Sequence, residues 1–172
     1  MLEYRSLRGC VSEFHGKGNV EMVRVGIIGC RHYWYRGCPG FHSHILCFQA
    51  QGEQKGPLGR LREGRIVSLR PCPGCPGDRM VELAADMLAR DYVQVFALAS
   101  CLFFAGHCPR GEQLGKKIEA AFGLPVLLGT YVAADKAAGL RSVRRAVPGI
   151  PSAPECLRRL GNLSYWYSLL RG

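Results

Sequence analysis

Two regimes of apolar patterning alternate along the chain. Four short stretches are β-branched or continuously apolar: VRVGII at 23–28, RIVSL at 65–69, VQVFALAS at 93–100 and PVLLGTYV at 125–132. Runs of this kind suit strands that are covered on both faces, as in a parallel sheet. Between them the apolar positions fall into a helical period. In 79–90, Met80, Leu83, Ala84, Met87 and Leu88 form one apolar face, and Asp78 is placed to cap that helix. In 112–122, Leu114, Ile118, Ala121 and Phe122 form a second face, with Gly123 as its stop. A weaker stripe of Phe41, Ile45 and Phe48 predicts a helix over 41–50, and 51–64 reads as loop.

Strands separated by helices imply right-handed crossovers. The expected fold class is therefore α/β: a three-layer sandwich around a small, mostly parallel sheet of about four strands. Residues 1–22 read as an N-terminal extension and 23–133 as the domain. Residues 134–172 read as a helical, basic C-terminal extension, because the alternation breaks down after about Ala133.

Composition narrows the class. The chain has 172 residues, of which 48% are hydrophobic and 21% charged, as in a globular protein able to bury a core. The uncharged stretch 92–107 contains Gln94, Ser100 and Gly106 and is too short to span a bilayer. The first 22 residues contain no continuous apolar segment of the signal-peptide kind, so a cytoplasmic location is expected. The formal net charge is +10, and the last 39 residues hold seven basic and only two acidic side chains. No aromatic-rich RNA motif or helix-turn-helix pattern accompanies that charge, so nucleic acid is not the expected partner.

The cysteines change the picture most. There are nine, an odd number and a high one for a reducing compartment, where metal or redox chemistry is a better account than disulfides. Cys30, Cys72 and Cys101 each follow a predicted strand closely. In an open parallel sheet all these strand ends lie on one edge, where such folds bind ligands. Each has a downstream partner that precedes proline: Cys38-Pro39, Cys75-Pro76 and Cys108-Pro109. Thus Cys30, Cys38, Cys72, Cys75, Cys101 and Cys108 are the candidate metal ligands. His32, His42, His44 and His107 lie in or near the same loops, with His107 the best placed of them. Cys10, Cys47 and Cys156 read as packing or bystander residues, although Cys47 lies close to the rim.

At these residues the chain resembles the CGGC domain family, cysteine-rich domains regarded as metal-binding. The matching elements are VGIIGC (25–30), CPG (38–40), CPGCPG (72–77), ALASC (97–101) and CP (108–109). The resemblance covers about residues 23–132 and implies a metal-binding role. It departs at Pro73, which stands where the family signature has its first glycine and which removes an N–H from the loop.

Two chemistries follow. Thiolates gathered from several loops would hold zinc or an iron–sulfur cluster. Alternatively, Cys72 and Cys75 form a C-x-x-C pair at the start of a helix, which would lower the pKa of Cys72 and support thiol–disulfide exchange. There is no phosphate-binding glycine loop, nucleophile elbow or HExxH to indicate another enzyme class, and the chain identifies no protein partner.

Overall fold

The structure is a computed structural model that describes residues 22–38 and 43–140. Four strands form one parallel sheet: β1 (Val23–Gly29), β2 (Gly64–Pro71), β3 (Val95–Leu98) and β4 (Val126–Leu128). Their order is β2-β1-β3-β4. The helices are α1 (Arg31–Trp34), α2 (Ile45–Gly52), α3 (Met80–Asp91), α4 (Gly111–Phe122) and α5 (Ala134–Ala138). The expected α/β class and the roughly four-stranded parallel sheet are both present.

The strand order fixes the layers. The chain steps from β1 outward to β2, then crosses back over β1 to β3 and continues to β4. With right-handed crossovers, α2 covers one face while α3 and α4 share the other. Accordingly α3 and α4 pack on each other. Gly26 in the central strand lets α3 lie close, since a Cβ there would meet Met87 Cε at 2.9 Å and Val93 Cγ2 at 2.7 Å. Ile27, Ile28, Phe96, Leu98, Met80, Met87, Leu114 and Ile118 fill the core.

Several expectations need correction. Helix 41–50 is shifted to Ile45–Gly52, and its inward face is Leu46, Cys47 and Ala50. Ile45 and Phe48, on which that helix was predicted, are each 48% exposed, and Phe41 lies outside the described residues. The 51–64 segment is not a plain loop: a 3-10 turn at Leu58–Arg60 buries Leu58, whose amide donates to Thr130 O at 3.0 Å. Strand 125–132 stops at Leu128 because the chain turns back at Gly129 (φ +102°), where a Cβ would fall 2.1 Å from Val132 O. Asp78 does not cap α3, whose N-cap Arg79 makes no side-chain capping bond. Its carboxylate instead accepts a 2.9 Å hydrogen bond from Arg110. Gly123 does end α4, in the left-handed conformation at φ +64°. Of the predicted C-terminal extension, α5 and residues to 140 are described. Residues 1–21 and 141–172 lie outside the described set, with the Tyr165–Tyr167 aromatic cluster and Cys10 and Cys156.

Candidate thiol site at the sheet edge

Sheet order directs the chain exits to one place. In a doubly wound sheet the crevice opens where the winding reverses, here between β1 and β3. Cys30 follows β1 directly, and its amide donates to the Cys101 sulfur just past β3 at 3.2 Å. On the other side of β1, the Cys72 amide continues the ladder by donating to Gly29 O at 2.7 Å. The three thiols that follow three strands therefore converge on one edge.

The CPGCPG loop that follows is tightly specified. Gly74 takes φ +129° and Gly77 φ +91°, backbone regions that favour glycine, and the Cys75–Pro76 peptide is cis. Arg31 Nη1 donates to Pro73 O at 3.0 Å, which ties this loop to the exit of β1. The Arg110–Asp78 ion pair ties it to the loop carrying Cys108.

These loops enclose a shallow pocket lined by Cys30, Arg31, His32, Cys72, Gly74, Cys75, Pro76, Gly77, Leu102, His107 and Cys108. Four of the six predicted thiols thus face one space. Cys30 and Cys72 are buried, Cys108 is half-buried and Cys75 is exposed. His32 and His107 stand with ring centroids 4.9 Å apart, and Tyr33 lies edge-on to His32.

Burial favours the neutral thiol at Cys30, Cys72 and Cys108. Burial pushes the Cys30 thiol up. The amides of His32 and Tyr33 pull it down, and the neighbouring Cys72 and Cys75 sulfurs push it up again. Burial likewise raises Cys72, with Cys108 and Cys75 adding to the rise and Gly74 and Arg31 opposing it. Cys108 is raised by burial, then by Cys75, against the pull of Arg110. Burial and then the nearby His32 lower His107, so its imidazole is neutral near pH 7 and keeps a lone pair for a cation.

The remaining predicted residues lie elsewhere. Cys101 sits just beneath the pocket, 5% exposed. Cys38 lies deeper, against Tyr131. His44 is occupied in a 2.6 Å hydrogen bond with Trp34 O, and His42 lies outside the described residues. The C-x-x-C pair does not open a helix: α3 begins at Met80, beyond a turn closed by Met80 N to Gly77 O. The expected lowering of the Cys72 pKa is replaced by a rise.

The residues that build the site, and that sequence reasoning missed, are Ser100 and Thr130. The Ser100 hydroxyl donates to Val132 O at 2.7 Å and accepts from the amides of Thr130 (2.9 Å) and Val132 (3.0 Å). Thr130 Oγ1 meets the Cys47 thiol at 3.3 Å and accepts from the Ser100 amide at 3.3 Å. This buried knot pins the β3 exit, and Cys101 with it, to the turn after β4. The serine of the ALASC stretch was the available signal.

The model of the CGGC domain matches residues 24–131, well over half of the chain. The chain belongs to the CGGC domain family. It is also 28% identical over 116 residues to "Uncharacterized protein MJ0582" of Methanocaldococcus jannaschii, a match covering 66% of this chain and 91% of that protein. No solved structure matches. Among the described residues, no helix is long and apolar enough to cross a membrane.

The pocket's donor set fits a soft or borderline metal in its chemistry: four thiols, with a neutral imidazole beside them. In their present rotamers, no group of three or more His, Cys, Asp or Glu side chains among the described residues could hold an ion.

Proposed function

We propose that this member of the CGGC family binds a metal through thiolates at the sheet edge, with Cys30, Cys72, Cys75 and Cys108 as ligands and zinc or an iron–sulfur cluster as the occupant. The observation that carries the reading is that four thiols from three separate chain segments line one pocket, where burial and the neighbouring sulfurs raise Cys30, Cys72 and Cys108. A cation relieves that mutual repulsion and displaces the thiol protons, so affinity rises with pH. Arg31 and Arg110 flank the pocket and offset the negative charge of the thiolates. All seven described cysteines are free thiols, which suits a reducing, cytoplasmic setting.

The dithiol alternative rests on exposed Cys75 standing two residues beyond buried Cys72. It lacks a helix terminus to activate Cys72, so metal binding takes precedence. The test is metal analysis and absorption spectroscopy of the full chain purified without oxygen, beside a Cys72→Ser/Cys75→Ser variant. Bound metal that disappears in the variant supports the reading, with a broad visible band identifying iron–sulfur and a colourless metal identifying zinc. Metal-free protein that forms a reversible Cys72–Cys75 disulfide overturns it in favour of thiol–disulfide exchange.

A further inference from the structure

Two imidazoles at the rim of the thiol pocket stand outside the ligand set proposed above. His32 lies on α1, two residues past Cys30, and His107 directly precedes Cys108. Both line the pocket. Their ring centroids are 4.9 Å apart, with the planes tilted by 44°. Half-buried Tyr33 braces both rings: it lies edge-on to His32 at 4.9 Å and 5.1 Å from His107. The chain reaches His107 through Ala105 and Gly106, at φ +53° and +65°. Two consecutive left-handed residues thus turn it back towards α1. Among the described residues no hydrogen bond or ion pair engages either ring, whereas His44 is occupied by Trp34 O at 2.6 Å. Each ring of the pair therefore keeps its nitrogens for a ligand.

We infer that His32 and His107 form a two-imidazole site for a borderline divalent cation of the zinc, cobalt and nickel class, beside the thiol ligands and separate from them. Imidazole nitrogen suits such ions. Zinc–nitrogen bonds of about 2.0–2.1 Å place an imidazole centroid roughly 3 Å from the ion. Two centroids 4.9 Å apart then subtend about 100–110° at a shared ion, close to the tetrahedral angle. Rotation about the Cβ–Cγ bond turns the nitrogens and leaves the centroids nearly in place, so the backbone and χ1 set this separation. The pair supplies two ligands and leaves the other positions to water, which agrees with the absence, among the described residues, of any group of three ligating side chains. No carboxylate is among the residues lining the pocket, so hard, oxygen-seeking magnesium and calcium find no side-chain ligand there. The inference does not require the thiols to hold a metal.

The test is titration of the reduced full chain with Co(II) under nitrogen, followed by absorption. Thiolate ligands add an intense sulfur-to-cobalt charge-transfer band, and imidazoles do not. In the Cys72→Ser/Cys75→Ser variant, one Co(II) equivalent should bind without that band and be displaced by Zn(II). His32→Gln and His107→Gln, each added to that background, should weaken it about 10-fold or more, since loss of even a residue that only supports a metal ligand costs that much. His32 is exposed, so His32→Gln carries the comparison should His107→Gln fail to fold. The charge-transfer band of the unsubstituted chain reports the thiol site separately, so failure there is distinguished from failure here. A background variant that binds no Co(II), whose Co(II) shows thiolate ligation, or whose affinity is unchanged by the histidine substitutions overturns the proposal.

Discussion

Replacing Ser100 by alanine tests whether the buried knot behind the thiols determines the architecture of the edge. The side chain is fully buried, and its hydroxyl serves three backbone groups: Val132 O, Thr130 N and Val132 N, at 2.7, 2.9 and 3.0 Å. Alanine fits the space but leaves two amide donors and one carbonyl without partners. Each buried orphan costs about 1–3 kcal/mol. The three share one turn and relax together, so the expected loss is about 3–5 kcal/mol rather than the full sum. Against a total stability of about 5–15 kcal/mol this is a large fraction. Urea unfolding followed by far-UV circular dichroism, in reducing buffer, reads it directly. With a slope of about 1–2 kcal/mol per molar for a domain of this size, the midpoint should fall by about 2 M or more. The turn after β4 should loosen with it, so Cys47 and Cys101 should alkylate faster in native conditions. A loss below about 1 kcal/mol, with unchanged alkylation, refutes the reasoning: the three backbone groups would then have other partners and the knot would be incidental.

Three further outcomes are expected. Gly77→Ala places a Cβ 2.7 Å from Leu114 Cδ1 at a residue with φ +91°, so it should cost about 2 kcal/mol, or roughly 4–8 °C in Tm. Gly52→Ala, at the end of α2 with nothing within 4 Å of the added methyl, is the control and should stay within about 0.5 kcal/mol; equal melting of the two variants contradicts the steric account. Stability should also fall in alkali. Burial pushes Cys47 up to about 12 from 9.0, so the thiol contributes stability that is intact below pH 9.0 and is lost as the pH rises towards 12. Urea midpoints measured across that window should decline less steeply for Cys47→Ala, and parallel curves would exclude Cys47 as a source. His107, lowered by burial and His32, contributes stability that is present above its ordinary value of 6.5 and lost as the pH falls below it. His107→Gln should therefore flatten the acid side of the profile below pH 6.5, and an unchanged slope would show that the ring is solvated.

Local periodicity by itself determined the four strands and the helices α3 and α4. Continuously apolar runs gave the strands, since residues covered on both faces need no polar alternation. The 3.6-residue stripes of α3 and α4 gave helices whose apolar faces meet the sheet. From parallel strands alone it followed that Cys30, Cys72 and Cys101 end on one edge, because every strand exit of such a sheet lies there. The same logic could not sort the thiols by depth. Cys30, Cys72, Cys75 and Cys108 face the pocket while Cys38 and Cys47 turn inward, and that division depends on loop torsions and on the rotation of α2 about its axis. The rotation was misread because Ile45 and Phe48 are as apolar as Leu46 yet lie on the exposed side. Tertiary structure alone decided that Asp78 pairs with Arg110 across 32 positions rather than capping α3, and that Ser100 is bonded to residues 30 to 32 positions away. Hydrogen bonds of that span have no signature in local spacing. They exist only once the sheet order has brought the segments that follow β2, β3 and β4 to one edge.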